Sequence, residues 1–290
     1  MNDNLVVMIL GSAQDGGYPH IGCRKKCCEP AWSNPFKKRF VASLAIIDKA
    51  SDDCWIIDAS PDIKYQINMI SDFLGINKAP KIKGIFLTHA HTGHYSGLLE
   101  LGKESLNASN IPIYVMPEMS DFIQLNKAFN FLIESENIFL KVIQEDHPIK
   151  LKNDSLISPF LVPHRNEMSE TVGYKIQSNK KSVIYLPDID SWEDWDNDII
   201  TLVKNNNHLF IDGTFYSKNE IQDRNILNIP HPPIAETVQK LLTLDVKEKN
   251  KIFFTHLNHS NVIIHENRSE TIDLINEGYG VAFDGQTINI

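Results

Sequence analysis

Three histidines fall within six positions in the stretch Thr88-His89-Ala90-His91-Thr92-Gly93-His94. The chain holds only 11 histidines in 290 residues, so this clustering stands out from background. The stretch follows Ile85-Phe86-Leu87, which reads as buried strand, and precedes Tyr95 to Leu101, which reads as the start of a helix. Side chains two apart on an extended segment share a face. His89 and His91 can therefore point the same way, while His94 approaches from the turn beyond. Neutral imidazole is the commonest metal ligand, and zinc takes such nitrogens at about 2.0–2.1 Å. Metal binding is the chemistry this spacing suggests.

A second cluster is made of sulfur. Three of the four cysteines, Cys23, Cys27 and Cys28, lie within six residues. In a long chain without a secretory signature, crowded thiols point to metal or redox chemistry more than to disulfide staples. Cys54 stands alone before Trp55-Ile56-Ile57 and reads as a small buried apolar residue.

The elements that must position these groups follow from apolar runs. Strands are expected at Leu5 to Leu10, Val41 to Asp48, Cys54 to Asp58, Ile82 to Leu87 and Ile111 to Met116. From Ile138 to Val162, short runs alternate with polar turns as antiparallel sheet does, and Thr171 to Gln177 and Ser182 to Leu186 continue the pattern. Further strands are expected at His208 to Ile211, Lys251 to Phe254, Tyr279 to Phe283 and Thr287 to Ile290. Helices are expected after Pro61, over Pro117 to Leu132, Trp192 to Lys204, Ala235 to Leu244 and Glu270 to Asn276. Again and again an apolar run stops and Asp or His appears: Asp58, His89, His164, Asp188, Asp212 and His256. Loops at strand ends, held by a rigid sheet, are where sites are usually built. The glycine-bearing loop from Gly11 to Gly22 lacks the standard nucleotide spacings and reads as the border of a pocket.

Composition bounds the rest. With 42% hydrophobic and 22% charged residues, the chain is an ordinary globular protein with enough length for a sizeable core, expected as one domain over residues 1–290. A net charge of -9 argues against nucleic acid or anionic membrane as a partner. No stretch reaches the ~20 apolar residues a membrane span needs. The N-terminal Met1-Asn2-Asp3-Asn4 lacks the basic region of a signal peptide, so a cytoplasmic location is expected. The expected partner is a small-molecule substrate; the sequence leaves the oligomeric state open, with a dimer allowed.

The histidine stretch resembles the His-x-His-x-Asp-His signature of the metallo-β-lactamase superfamily. His164, Asp188 and His256 fall in the order of that family's later ligands, and Asp58 fits its early strand-end Asp. Gly11-Ser12-Ala13-Gln14-Asp15-Gly16-Gly17-Tyr18-Pro19, the cysteine cluster and Phe210-Ile211-Asp212-Gly213-Thr214-Phe215 narrow the resemblance to the pyrroloquinoline quinone biosynthesis protein B branch. The chain is also similar to the cyclic phosphodiesterase of phosphonate breakdown. The resemblance implies an α/β, four-layer αββα sandwich with two mixed sheets face to face and helices outside. It implies one metal site of His89, His91 and His164 and a second of His94, Asp188 and His256, with Asp188 bridging. Asp58 would orient a ligand. One departure matters: Gly93 stands where the family has a ligating Asp. Either a single metal works, or another carboxylate reaches in, with Asp15, Asp62 and Asp212 as candidates.

The leading expectation is a metal-dependent hydrolase acting on a small phosphodiester or other ester, with His94, Asp58 and His231 in the catalytic set. His231, in Pro230-His231-Pro232-Pro233, is a candidate proton donor and equally suits a turn. Zinc is the expected catalytic ion, one or two per chain, with iron or manganese as alternatives. Two other readings stay open: a metal-dependent oxidoreductase tied to quinone biosynthesis, and a metal-binding protein whose site no longer catalyses. A further, structural zinc is expected on Cys23, Cys27 and Cys28, closed by His259 three residues past His256, as in the similar phosphodiesterase. Adjacent Cys27 and Cys28 seldom both ligate without strain, so one of them is expected to be free.

Overall fold

A computed structural model describes residues 5–152, 154–220 and 230–290. The chain lays down β1 (Leu5–Gly11), β2 (Ser43–Asp48), β3 (Asp53–Ile57), β4 (Lys81–Phe86), β5 (Ile111–Val115) and β6 (Ile138–Val142). The second half adds β7 (Ile149–Lys150), β8 (Leu156–Leu161), β9 (Val172–Gln177), β10 (Ser182–Leu186), β11 (His208–Asp212), β12 (Ile252–Thr255), β13 (Gly280–Val281) and β14 (Thr287–Asn289). One sheet has the order β14-β1-β2-β3-β4-β5-β6 and the other β13-β12-β11-β10-β9-β8-β7. Both are mixed: β1 to β3 pair antiparallel and β3 to β6 parallel, while β7 to β10 pair antiparallel and β10 to β13 parallel.

The period-two pattern explains the layers. In β1, Leu5, Val7 and Ile9 face the other sheet, together with Trp55, Phe86, Tyr174, Tyr185 and Phe210. Met8 and Leu10 point the other way, into a layer with Ile63, Ile70, Met119, Ile123, Phe129 and Leu132. Those residues belong to α2 (Ile63–Leu74), α4 (Pro117–Leu125) and α5 (Lys127–Glu134), numbered after the short α1 (Glu29–Ser33) and α3 (Thr92–Tyr95). On the far side, Ile184, Leu186, Leu209 and Ile211 meet Ile199, Val203, Ile234 and Leu274, from α6 (Ile199–Lys204), α7 (Ile234–Lys240) and, beyond α8 (Val246–Lys249), α9 (Ser269–Asn276). Strands buried on both faces read as unbroken apolar runs, which is why β1 is Leu-Val-Val-Met-Ile-Leu without a polar break. The result is the expected αββα sandwich.

Three expectations are corrected. The helix expected over Pro117 to Leu132 is two helices, broken at Asn126, whose extended backbone and side-chain bond to the Ala128 N–H start α5 afresh. The helix expected from Trp192 begins only at Ile199. Asp198 accepts from the Thr201 N–H and caps it there, while the Trp192 and Trp195 indoles donate to Thr237 Oγ1 and the Leu161 carbonyl. Strand β6 is parallel to β5, because α4 and α5 make a crossover between them. Among the described residues no helix is long and apolar enough to cross a membrane.

The pairing directions place the site. Two antiparallel steps restore direction, so β1 runs with β3 and β4, and β8 runs with β10, β11 and β12. All of these strands end at one edge of the sandwich. Two bonds lock the sheets together there: the Tyr174 hydroxyl donates to the Leu87 carbonyl at 2.7 Å, and the Val172 N–H to the Thr88 carbonyl at 3.0 Å.

Candidate metal centre

The histidines and carboxylates at that edge are delivered by the ends of several strands. Asp58 follows β3, His89 to His94 follow β4, His164 follows β8, Asp188 follows β10 and His256 follows β12. Asp58 and His256 have φ of 67° and 58°, the left-handed region that non-glycine residues rarely adopt. Such strain persists where the surroundings over-determine it. Ser43 Oγ holds the Asp58 carbonyl at 2.9 Å, and the Leu257 N–H bonds the Ser12 carbonyl at 2.8 Å.

The first donor group is His89, His91 and His164. His89 Nε2 is 2.9 Å from His91 Nδ1, which is 3.2 Å from His164 Nε2. Two nitrogens bound to one tetrahedral zinc stand about 3.3 Å apart, so the spacing fits an ion with little movement. The far nitrogens are tethered. His164 Nδ1 donates to Asp190 Oδ1 at 2.6 Å, and His89 Nδ1 meets Thr88 Oγ1 at 3.0 Å. That hydroxyl in turn donates to Asp58 at 2.9 and 3.0 Å.

The second group is built around His94. Its Nδ1 donates to Asp58 Oδ2 at 2.7 Å, which turns Nε2 toward Asp188 Oδ2 and Asp15 Oδ1, both at 3.3 Å. His256 Nε2 is 3.5 Å from the same Asp15 oxygen, and its Nδ1 meets Thr214 Oγ1 at 2.9 Å. Asp188 stands between the groups: Oδ2 faces His94, while Oδ1 lies 3.9 Å from His164 Nε2 and 3.5 Å from His256 Nδ1. Of the three carboxylates left open by the sequence, Asp15 is the one that arrives. Asp62 accepts from the Val41 N–H, and Asp212 binds His231 Nδ1 at 2.6 Å.

Electrostatics favours a cation here. Burial alone would raise the Asp188 carboxyl, but His256, His94, His89 and His164 hold it far below the usual range. Asp15 is likewise opposed by burial and held low by His256 and His94. Burial, with His94 beside it, keeps His89 well below the ordinary histidine value and so neutral, the form that binds metal. Asp15 Oδ1, His94 Nε2, Asp188 Oδ2 and His256 Nε2 are all buried without a hydrogen-bond partner. Buried polar atoms are rarely left unpaired. Four of them converging, two carboxylate and two imidazole, suit an ion as the common partner.

His231 lies in the cleft rather than in a remote turn. Its ring centroid is 5.5 Å from that of His164 and 6.0 Å from that of His256. Asp58 accepts from the Thr88 N–H and hydroxyl and from His94, so it touches the donors and not the cleft itself. Asp190, Thr88 and Thr214 escaped the sequence reading as partners of the ligand rings. The signal was there in the alternation Asp188-Ile189-Asp190, which puts two carboxylates on one face.

The cysteine cluster forms as well. Cys23 and Cys27 sulfurs are 3.7 Å apart, and His259 Nδ1 is 3.5 Å from Cys27 and 3.4 Å from Cys28. On a tetrahedral zinc with Zn–S of about 2.3 Å, two sulfurs stand about 3.8 Å apart and a sulfur and a nitrogen about 3.6 Å. Both adjacent cysteines reach the same point, against the expectation that one would be free. Burial pushes the Cys28 thiol up to about 12, so it stays protonated at neutral pH unless a cation takes the proton's place. Cys54 is buried in the helix-facing layer of its sheet, apart from this group.

Residues 55–257 match the β-lactamase superfamily domain, the greater part of the chain. The protein belongs to the metallo-β-lactamase superfamily, and its sandwich with donors at one strand edge is that fold. Along nearly its whole length it is similar to coenzyme PQQ synthesis protein B. The protein of Methylorubrum extorquens is 24% identical over 306 residues, covering 98% of this chain and 99% of that one. That of Methylobacillus flagellatus is 25% identical over 314 residues, covering 97% and 99%. Among solved structures, Zn2+-bound PqqB from Methylobacterium extorquens superposes with a TM-score of 0.81 at 22% identity, covering 98% of this chain and all of that one. A diphosphatase of the PhnP family gives 0.69 at 22% identity, covering 98% and 96%.

Proposed function

We infer that this protein is a metal-dependent hydrolase of a small phosphodiester or related ester. The observation that carries the reading is Asp188, one buried carboxylate facing both donor groups, His89-His91-His164 on one side and Asp15-His94-His256 on the other. A metal bound there supplies an activated water near neutral pH and polarises a phosphoryl or acyl oxygen. The remaining work falls to the chain. Asp58 and Thr88 fix the rings of His94 and His89, and Asp190 fixes that of His164. His231 stands over the cleft with its Nδ1 proton held by Asp212. Burial would lower its pKa, but Asp212 raises it, so Nε2 can carry a proton toward a leaving oxygen. Arg165 places positive charge near half-buried His91, beside the exposed Glu167 carboxylate at 3.5 Å from His91 Nε2.

The test is turnover of an ester and phosphodiester panel, including bis(p-nitrophenyl) phosphate, by metal-loaded protein and by His89→Ala and His164→Ala. Loss of turnover in both variants is expected; full activity in either removes the mechanism. A second reading, an oxidoreductase of quinone-cofactor synthesis, draws on the full-length likeness to coenzyme PQQ synthesis protein B. Its donors, all nitrogen and oxygen, suit iron as well as zinc. Zinc as the bound metal with no oxygen uptake would remove it.

A further inference from the structure

Gly93 lies buried in the first turn of α3, and its backbone is helical rather than left-handed. Glycine is therefore not there for conformational freedom. It is there for room: a Cβ at position 93 would lie 2.3 Å from Asp15 Oδ1, 2.8 Å from its Cγ and 2.9 Å from its Cα. The volume a side chain at 93 would fill is occupied by the carboxylate of Asp15, delivered from a different part of the chain.

That delivery is firm. The segment after β1 is held by the Ala13 N–H on the Phe40 carbonyl at 2.9 Å, the Gln14 N–H on the Leu257 carbonyl at 2.9 Å and the Gly17 N–H on the Gln14 carbonyl at 2.7 Å. The turn it makes needs Gly17, with φ of 67°. Asp15 is thus carried to His94 and His256 by backbone bonds, with no partner of its own for Oδ1.

We propose that Asp15 is a direct donor to a second divalent cation, completing a four-donor site with His94, Asp188 and His256, and that Gly93 is the complementary change that admits it. This rests on the reading of the strand-edge cluster as a metal centre. In the His-x-His-x-Asp-His pattern the carboxylate belongs to the same turn as the histidines. Here it belongs to the loop that also carries Cys23, Cys27 and Cys28. Position 93 and position 15 then form an exchangeable pair: a carboxylate from one requires its absence from the other.

The test counts metal rather than turnover. Wild type, Asp15→Asn, Asp15→Ala, Gly93→Asp and the double variant Asp15→Gly/Gly93→Asp are loaded with zinc and desalted. Bound metal per chain is then measured by elemental analysis and the weaker equivalent titrated against a chelator. Circular dichroism confirms folding, and the cysteine cluster, common to all, cancels in the differences. The expected result is two strand-edge equivalents in wild type. One of them should be lost, or weakened by at least ~100-fold, in Asp15→Ala and less so in Asp15→Asn, since removing a direct donor should cost no less than the ~10–100-fold that losing an outer partner of a ligand costs. Gly93→Asp alone should fail to add affinity because it collides with Asp15. The double variant, relieved of the side-chain clash and left with a few tenths of an ångström to adjust at the Asp15 Cα, should regain the second equivalent. Two equivalents of unchanged affinity in Asp15→Ala would overturn the inference and leave the hydrolase reading standing. A wild type that takes up no strand-edge metal would overturn both.

Discussion

The two clusters of metal-binding side chains are built in opposite ways. At the strand edge, the donors are gathered from the ends of five strands, β1, β4, β8, β10 and β12, and most donor side chains are buried. The far ring nitrogens of His94, His89, His164 and His256 are tied to Asp58, Thr88, Asp190 and Thr214. The sheets would hold this geometry with or without an ion. At the cysteine cluster, three sulfurs come from one irregular six-residue stretch, half exposed, and meet a histidine more than 200 residues away. A few bonds steady it, such as Trp32 Nε1 on the Cys23 carbonyl and the Tyr18 hydroxyl on the Cys27 carbonyl. The first cluster is preorganised for chemistry. The second depends on its ion for shape, and binding free energy there becomes folding free energy.

The largest expected effect tests that contrast in stability. Cys23→Ser and His259→Ala should lower the melting temperature by more than about 5 °C, since each 1 kcal/mol is worth roughly 2–4 °C in a chain a little smaller than this one. His89→Ala should lower it less while removing strand-edge metal. Equal shifts in the three variants, measured by calorimetry with metal content, would erase the distinction between the clusters.

Next in size is Asp58→Asn, which keeps the shape but weakens the acceptor holding His94 and Thr88. Loss of such an outer partner typically costs 10–100-fold in metal affinity or activity. Metal titration should show that loss at the strand edge and none at the cysteines. Unchanged affinity would mean that the left-handed Asp58 backbone, not its carboxylate, is what the site needs.

The smallest effect uses a half-buried carboxylate whose strongest charged neighbours are Arg39 and Asp62 rather than imidazoles. Asp284 accepts from Ser12 Oγ at 2.7 Å and the Phe40 N–H at 2.6 Å, yet burial pushes its pKa up to about 6. Asp188, more deeply buried but among histidines, moves the other way. A raised carboxyl pKa means the folded state holds the proton more tightly than the unfolded chain. The stability Asp284 contributes is therefore full below about pH 4 and falls as pH rises through about 6, by about 1–3 kcal/mol. Denaturation of wild type and Asp284→Asn across pH 4–7 should show a steeper decline in wild type, since Glu220, raised to about 7, titrates in both; parallel curves would contradict it.

Local signals were legible in the sequence and distant ones were not. The histidine turn, the strand-end Asp and His residues and the cysteine cluster are each spelled out within a few residues; the apolar runs give the strands, and the family resemblance implies how they layer. Which carboxylate answers Gly93 was not legible, because it depends on where β1 and the Ala13–Leu257 bridge carry the next loop. The false helix start at Trp192 has a similar cause. Its apolar spacing is helical, but the indoles serve as anchors to Thr237 and Leu161, partners far away in sequence. Asn126 could have been read: a capping residue inside an apolar pattern marks a new start.

The most direct test follows metal occupancy and hydrolysis on one sample. Chelator is added stepwise to zinc-loaded protein while phosphodiester turnover, bound metal and folded fraction are recorded. Thiolates hold zinc more tightly than nitrogen and oxygen donors do, so the strand-edge metal should leave first. Turnover should fall in step with it while the fold stays intact, and unfolding should follow only when the cysteine-bound metal is lost. Turnover that persists after the strand-edge metal has gone would contradict the assignment of that edge as the active site.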